Sequence, residues 1–242
     1  MERGKMTKIF RGVFAVSCTP FDEAGGIDES ALRRHLRWMV DEGGVHGVIP
    51  TGSTGEFAFL SEAERKQVVA ITIDEIQGKL PVVVGSAACS TRETVMYAQY
   101  AQKAGAQGVM VVPPYYGHLS QAELYIHFKE LAKSIDIPIL LYNNPGTSGS
   151  DLLPETVGRL SEIENVRGIK ESTGNMQRVH AIQMASSERL EIVCGCDTLP
   201  LEMFRMGVEG WVAAPANTIP AECVKLYELA IEKKDEVNAR AL

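Results

Sequence analysis

Lys170 stands in "NVRGIKESTG", Asn165 to Gly174, at the end of a short apolar run and directly before Glu171. Lysine is rarely found inside proteins, because burying its charge without a partner is costly. Two readings follow. The strand can stop at Ile169, with Lys170 in water or in a salt bridge. Alternatively, Lys170 faces a mouth screened from bulk water, where the neutral amine is more accessible and attacks a carbonyl. The product would be a Schiff base, whose iminium draws electrons from the neighbouring carbon. Carbon–carbon bonds to that carbon then break or form more easily.

Other residues fit the same chemistry. Tyr142 follows the apolar run "IPILL". It is either a buried ring with a satisfied hydroxyl or a proton relay to a substrate oxygen. Tyr115 and Tyr116 follow two prolines and can equally be an aromatic pair that packs on a partner chain. The glycines of "TGSTGE", Thr51 to Glu56, permit a tight turn whose backbone N–H groups can hold a carboxylate. A tight turn without a ligand is the alternative. Cys18, Cys89, Cys194, Cys196 and Cys223 form no metal signature, since no second pair or histidine cluster accompanies "CGC". They are expected as free thiols in a reducing compartment.

These residues need elements to position them. Eight short apolar segments recur, beginning at Gly12, Val45, Leu80, Ala106, Ile137, Asn165, Leu190 and Gly210. They are near-continuous in Val, Ile and Leu, as strands buried on both faces are. Helical patterns lie between them. Ser61 with Glu64, Ser90 with Glu93 and Ser120 with Glu123 each have capping-box spacing. Further helices are expected in "DESALRRHLRWMVDEG", "NMQRVHAIQMAS" and "LPLEMFRMG". Another helical stretch is "AECVKLYELAIEKKDEVNARAL". Eight strand–helix alternations without a hairpin signal predict an α/β fold, the (β/α)8 TIM barrel. A doubly wound open sheet is the structural alternative, but no GxGxxG follows the first strand. Chemistry in such barrels sits on the C-terminal strand ends. "TGSTGE", "PPYY", "YNNPGTSG", "KEST", "GCD" and "APAN" therefore face one mouth.

Composition bounds the remainder. With 242 residues, 45% of them hydrophobic, the chain can fill one large core, and residues 1–242 are read as a single barrel domain. A net charge of −7 argues against nucleic acid or an anionic membrane as partner. No apolar run approaches the roughly 20 residues of a membrane span. The start, "MERGKMTKIFRG", shows no signal peptide, so the expected compartment is the cytoplasm.

The ordered set "TPF", "GSTGE", "PPYY", "YNNP", "IKEST" and "G…W…APAN" resembles the dihydrodipicolinate synthase / N-acetylneuraminate lyase family, from about Gly12 onward. The resemblance implies a Schiff-base pyruvate aldolase or lyase on a (β/α)8 barrel, with no cofactor and no metal. It makes Lys170 the Schiff-base lysine and Tyr142 the proton-relay tyrosine. Ser53 and Thr54 would bind the 2-oxo-acid carboxylate and extend the relay through a hydroxyl. Tyr116 would be lent across a subunit interface, in a homo-oligomer of the dimer-of-dimers kind. The expected substrate-binding set is Ser53, Thr54, Thr147, Gly195 and Val212.

The sequence departs from that family in two places. Synthases resemble "YNxPxRTG", whose arginine holds a substrate carboxylate. Here Thr147 takes its position, and it can make no bidentate charged pair. "GSTGE" is also nearer to the lyase branch. The second substrate is therefore expected not to be aspartate semialdehyde but a sugar-acid or hydroxyproline-type catabolite. Family members also continue for some fifty residues past the eighth barrel helix, whereas this chain is expected to end in or just after it. The alternatives are dihydrodipicolinate synthase proper, a barrel that binds a 2-oxo acid without turnover, and a phosphate-binding barrel. The last ranks lowest, because "CGCDTLP" and "APANTIP" are poor in glycine.

Overall fold

The structure, a computed structural model, describes residues 8–242. Met1–Thr7, on which the signal-peptide expectation partly rests, lie outside the described residues. The chain starts with β1 (Gly12–Val16) and α1 (Glu29–Arg37), which runs on through a π turn at Trp38–Glu42. Next come β2 (Gly47–Ile49), α2 (Glu62–Ile76), β3 (Val83–Gly85) and α3 (Thr91–Ala104). β4 (Gly108–Val111), α4 (Gln121–Ser134) and β5 (Ile139–Asn143) follow. Then the short α5 (Pro145–Ser148) precedes α6 (Pro154–Ser161), β6 (Val166–Glu171) and α7 (Met176–Ala185). The chain ends with β7 (Glu191–Cys194), α8 (Pro200–Arg205), β8 (Gly210–Ala213), α9 (Pro220–Tyr227) and α10 (Glu236–Ala241).

All strand pairs are parallel, in the order β2-β1-β8-β7-β6-β5-β4-β3. A parallel bridge between Val48 and Val82, with the Gly85 N–H donating to the Pro50 carbonyl at 2.9 Å, joins β2 to β3. The ring is thus the expected (β/α)8 barrel, thinnest at that seam. Among the described residues no helix is long and apolar enough to cross a membrane.

The helix starts follow local chemistry. Ser61 and Ser120 form reciprocal capping boxes with Glu64 and Glu123. At α3 the Ser90 hydroxyl takes the Glu93 N–H and donates to the Glu93 carboxylate, without the reciprocal backbone bond. α6 was not among the helices expected from sequence. It starts on Pro154, and its cap residue, Leu153, offers no side-chain acceptor. The long final helix is interrupted, because Lys234 takes a left-handed φ of 53° and Asp235 caps α10 through the Asn238 N–H at 3.1 Å.

Strand parity decides which side chains face the barrel axis. A Cβ on Gly168 would meet the Phe10 ring at 2.7 Å and Leu140 at 2.9 Å, so Gly168 faces the packed interior. Lys170, two residues on, faces the same way, above that apolar floor. Tyr142 does so from β5, where it is the register partner of Lys170.

Candidate active site

Lys170 ends β6 inside the mouth and is only 6% exposed. Its Nζ lies 4.0 Å from the centroid of the Tyr142 ring, a cation–π distance. Tyr142 is also buried, and its hydroxyl accepts a hydrogen bond from Asn144 Nδ2 at 3.0 Å. Burial pushes its phenol up, but the Lys170 charge and hydrogen bonding with Asn144, Ser53 and Lys170 outweigh that. The net value falls below the ordinary tyrosine value, as suits a group that passes protons. Ser53, in the "GSTGE" turn, is among the groups that lower the Tyr142 phenol.

One of the expected substrate-binding residues stands against the lysine, and a second faces the barrel interior. Gly195, just beyond β7, leaves room for it, since a Cβ there would meet Lys170 Cγ at 2.7 Å and Cε at 2.9 Å. Val212, buried on β8, has the inward parity of Gly210, whose Cβ would meet Val193 at 3.2 Å. Thr147 is exposed on α5. Tyr116 is 90% exposed. Its neighbour Tyr115 instead packs edge-on against Phe57 at 5.7 Å. Burial and a hydrogen bond with Cys89 push the Tyr115 phenol up to about 12.

The turn after β2 adds backbone donors. Among the described residues the N–H groups of Ser53, Thr54 and Gly55 donate to no protein acceptor. Successive free N–H groups beside a hydroxyl suit a carboxylate. Among the described residues no group of three His, Cys, Asp or Glu side chains is arranged to hold a metal ion, and all five cysteines are unpaired.

Sequence reasoning missed the clamp behind the site. Glu171 follows Lys170 and so faces away from the axis, into the helical layer, where it is 2% exposed. Its carboxylate accepts from Asn143 Nδ2 at 3.1 Å and from the Thr173 N–H at 2.7 Å. Arg178 on α7 lies 3.5 Å from it and also pairs with Asp151, which takes the other Asn143 Nδ2 proton at 3.1 Å. Asn143 and Glu171 directly follow Tyr142 and Lys170 and are register partners. The clamp therefore holds the two strand ends that carry Tyr142 and Lys170. Alternation along "IKEST" was the available signal, but nothing local names Arg178 as the partner.

The loops after β7 and β8 are tied to one another and to β1. Asp197 Oδ1 accepts from Trp211 Nε1 at 3.0 Å. Asn217 bonds the Cys18 N–H at 3.0 Å, the Val16 carbonyl at 2.8 Å and the His35 ring at 2.9 Å.

The model of the Dihydrodipicolinate synthetase family matches residues 9–241. The chain belongs to that family. It is 38% identical over 234 residues to the 4-hydroxy-tetrahydrodipicolinate synthase of Syntrophus aciditrophicus, covering 97% of this chain and 79% of the relative. The crystal structure of a putative dihydrodipicolinate synthetase from Pseudomonas aeruginosa superposes with a TM-score of 0.92 at 40% identity, covering 96% of this chain and 79% of that one. The chloride-inhibited dihydrodipicolinate synthase from Acinetobacter baumannii, complexed with pyruvate, gives 0.92 at 33% identity, with 96% and 79% covered. Membership makes the chain a lyase of the class I aldolase type. The expectation that its second substrate is not aspartate semialdehyde finds no support in relatives that carry the synthase name.

Proposed function

We propose that the chain condenses a 2-oxo acid, pyruvate in the first instance, with an aldehyde through a Schiff base on Lys170. The contact between the buried Lys170 and Tyr142 supports this reading best. The neutral amine adds to the C2 carbonyl, and loss of water gives the iminium. Tyr142, whose hydroxyl accepts from Asn144, shuttles protons during dehydration and as C3 gives up a proton to form the enamine. The enamine carbon then attacks the aldehyde. The free N–H groups of Ser53–Gly55 receive the carboxylate of the 2-oxo acid.

The names of the relatives make 4-hydroxy-tetrahydrodipicolinate synthesis, with aspartate semialdehyde as the aldehyde, the leading assignment. Thr147 favours a second reading, an aldehyde without a carboxylate, because the position offers a hydroxyl in place of a cation. In either case Tyr116 would serve a neighbouring subunit of a homo-oligomer, which accounts for its exposure.

Borohydride trapping tests the reading. The protein is incubated with pyruvate, reduced, and its intact mass compared with that of Lys170→Ala. A reduced adduct on the native chain alone is expected, and an equal adduct on the variant would end the assignment. Turnover of the trapped-competent enzyme with aspartate semialdehyde, against neutral hydroxyaldehydes, separates the two readings.

A further inference from the structure

Thr51, at the end of the segment that carries β2, is left-handed at φ 53° and 1% exposed. L residues seldom adopt that conformation, β-branched ones least of all. Something must hold it. The Thr51 hydroxyl lies 2.8 Å from the Gly85 carbonyl and 2.7 Å from that of Pro50, and shares its proton between them. The same Gly85 carbonyl accepts from Arg65 at 3.2 Å, while Arg65 also donates to Ala87 O at 2.9 Å. Arg65 is 5% exposed and stacked at 3.6 Å on the Tyr97 ring, so its guanidinium has little freedom to leave. Gly85 must be glycine for this approach, since a Cβ there would stand 2.0 Å from the Thr51 carbonyl oxygen.

The strained residue opens the turn whose Ser53, Thr54 and Gly55 N–H groups have no protein acceptor among the described residues. A relaxed Thr51 would re-aim all three. We propose that the Thr51 hydroxyl, through the Gly85 carbonyl gripped by Arg65, is the latch that holds this turn in its carboxylate-receiving shape. Thr51 is then a positioning residue for the 2-oxo acid, and never touches it. The inference rests on the Schiff-base reading of the same mouth. It goes beyond that reading by assigning substrate affinity to a hydroxyl that faces β3.

The test measures the pyruvate concentration that gives half-maximal borohydride-trapped adduct, beside the yield at saturation and the melting temperature. Thr51→Val keeps the shape and removes the hydroxyl. It is expected to raise the half-saturating concentration tenfold or more, with saturating yield within twofold of the native chain. Thr51→Ser keeps the hydroxyl and should bind as the native chain does. Thr51→Gly releases the strain, so it stays folded even where the valine variant does not, and it too should lose affinity. Native half-saturation in both Thr51→Val and Thr51→Gly would overturn the latch, as would equal losses in the serine and valine variants. A native chain that gives no adduct would instead refute the Schiff base. Calorimetric binding of pyruvate to the native chain and Thr51→Val then decides the latch, and no binding to either would overturn both.

Discussion

Gly195→Ala isolates how closely the barrel is fitted around its lysine. Gly195 does not have a left-handed backbone, so alanine is conformationally acceptable there and any effect is steric. The new Cβ would stand 2.0 Å from Ser172 Oγ, 2.7 Å from Lys170 Cγ and 2.9 Å from Lys170 Cε. Ser172 can swing aside by giving up its 3.0 Å bond to the Gly195 carbonyl, a loss of about 1 kcal/mol. The lysine has less choice. Restoring ordinary carbon–carbon contact of about 3.5 Å requires its stem to move by roughly 0.6–0.8 Å. Tyr142 stands against its other side at 4.0 Å. Overpacking of this kind destabilises by about 1–3 kcal/mol, which lowers the melting temperature of a chain this size by about 2–12 °C. A displacement near 1 Å at a reacting group costs about 10²-fold in rate, or about 2.7 kcal/mol of barrier. The assay is the rate of trapped-adduct formation at saturating pyruvate, on protein shown folded by circular dichroism. Gly146→Ala is the control, since its Cβ would meet nothing nearer than Asn144 Oδ1 at 3.7 Å, and it should react within twofold of the native chain. A folded Gly195→Ala that forms adduct at the native rate would refute the steric argument and the placement of the lysine with it.

Arg178→Ala should cost about 3 kcal/mol in urea unfolding, because it leaves the Glu171 carboxylate buried without its cation, and a loss under 1 kcal/mol would remove the clamp from the account. His127, buried with its Nδ1 2.9 Å from the Thr91 hydroxyl, is pushed by burial down to about 4. Its depressed value means the unfolded chain takes up a proton first. Stability is therefore full above about pH 6.5 and falls by about 3 kcal/mol as the pH drops toward 4, and His127→Gln should flatten that slope in urea midpoints. Tyr116→Phe and Lys170→Ala, each weak or inactive alone, should recover turnover when mixed and reassembled, since the second supplies Tyr116 to the site of the first. No recovery would leave Tyr116 a surface residue.

The sequence by itself determined the alternation of strands and helices, the starts of α2, α3 and α4, and the strand ends that carry Lys170 and Tyr142. Those are local signals: near-continuous apolar runs, serine and glutamate three apart, and period-two alternation along a strand. α6 escaped because its start has neither a capping side chain nor much length, and the break before α10 turns on one left-handed lysine. The pairings within the site were beyond reach for a different reason. Lys170 and Tyr142 lie 28 positions apart, Thr51 and Gly85 34, and Arg178 and Asp151 27. Register between β5 and β6, and the seam between β2 and β3, bring them together. In sequence, Lys170 beside Glu171 can equally end its strand in water or in a salt bridge. In the barrel the two are separated by the sheet itself, one toward the mouth and one toward Arg178, because the pleat sends successive side chains to opposite faces and only closure of the ring decides which face is the interior.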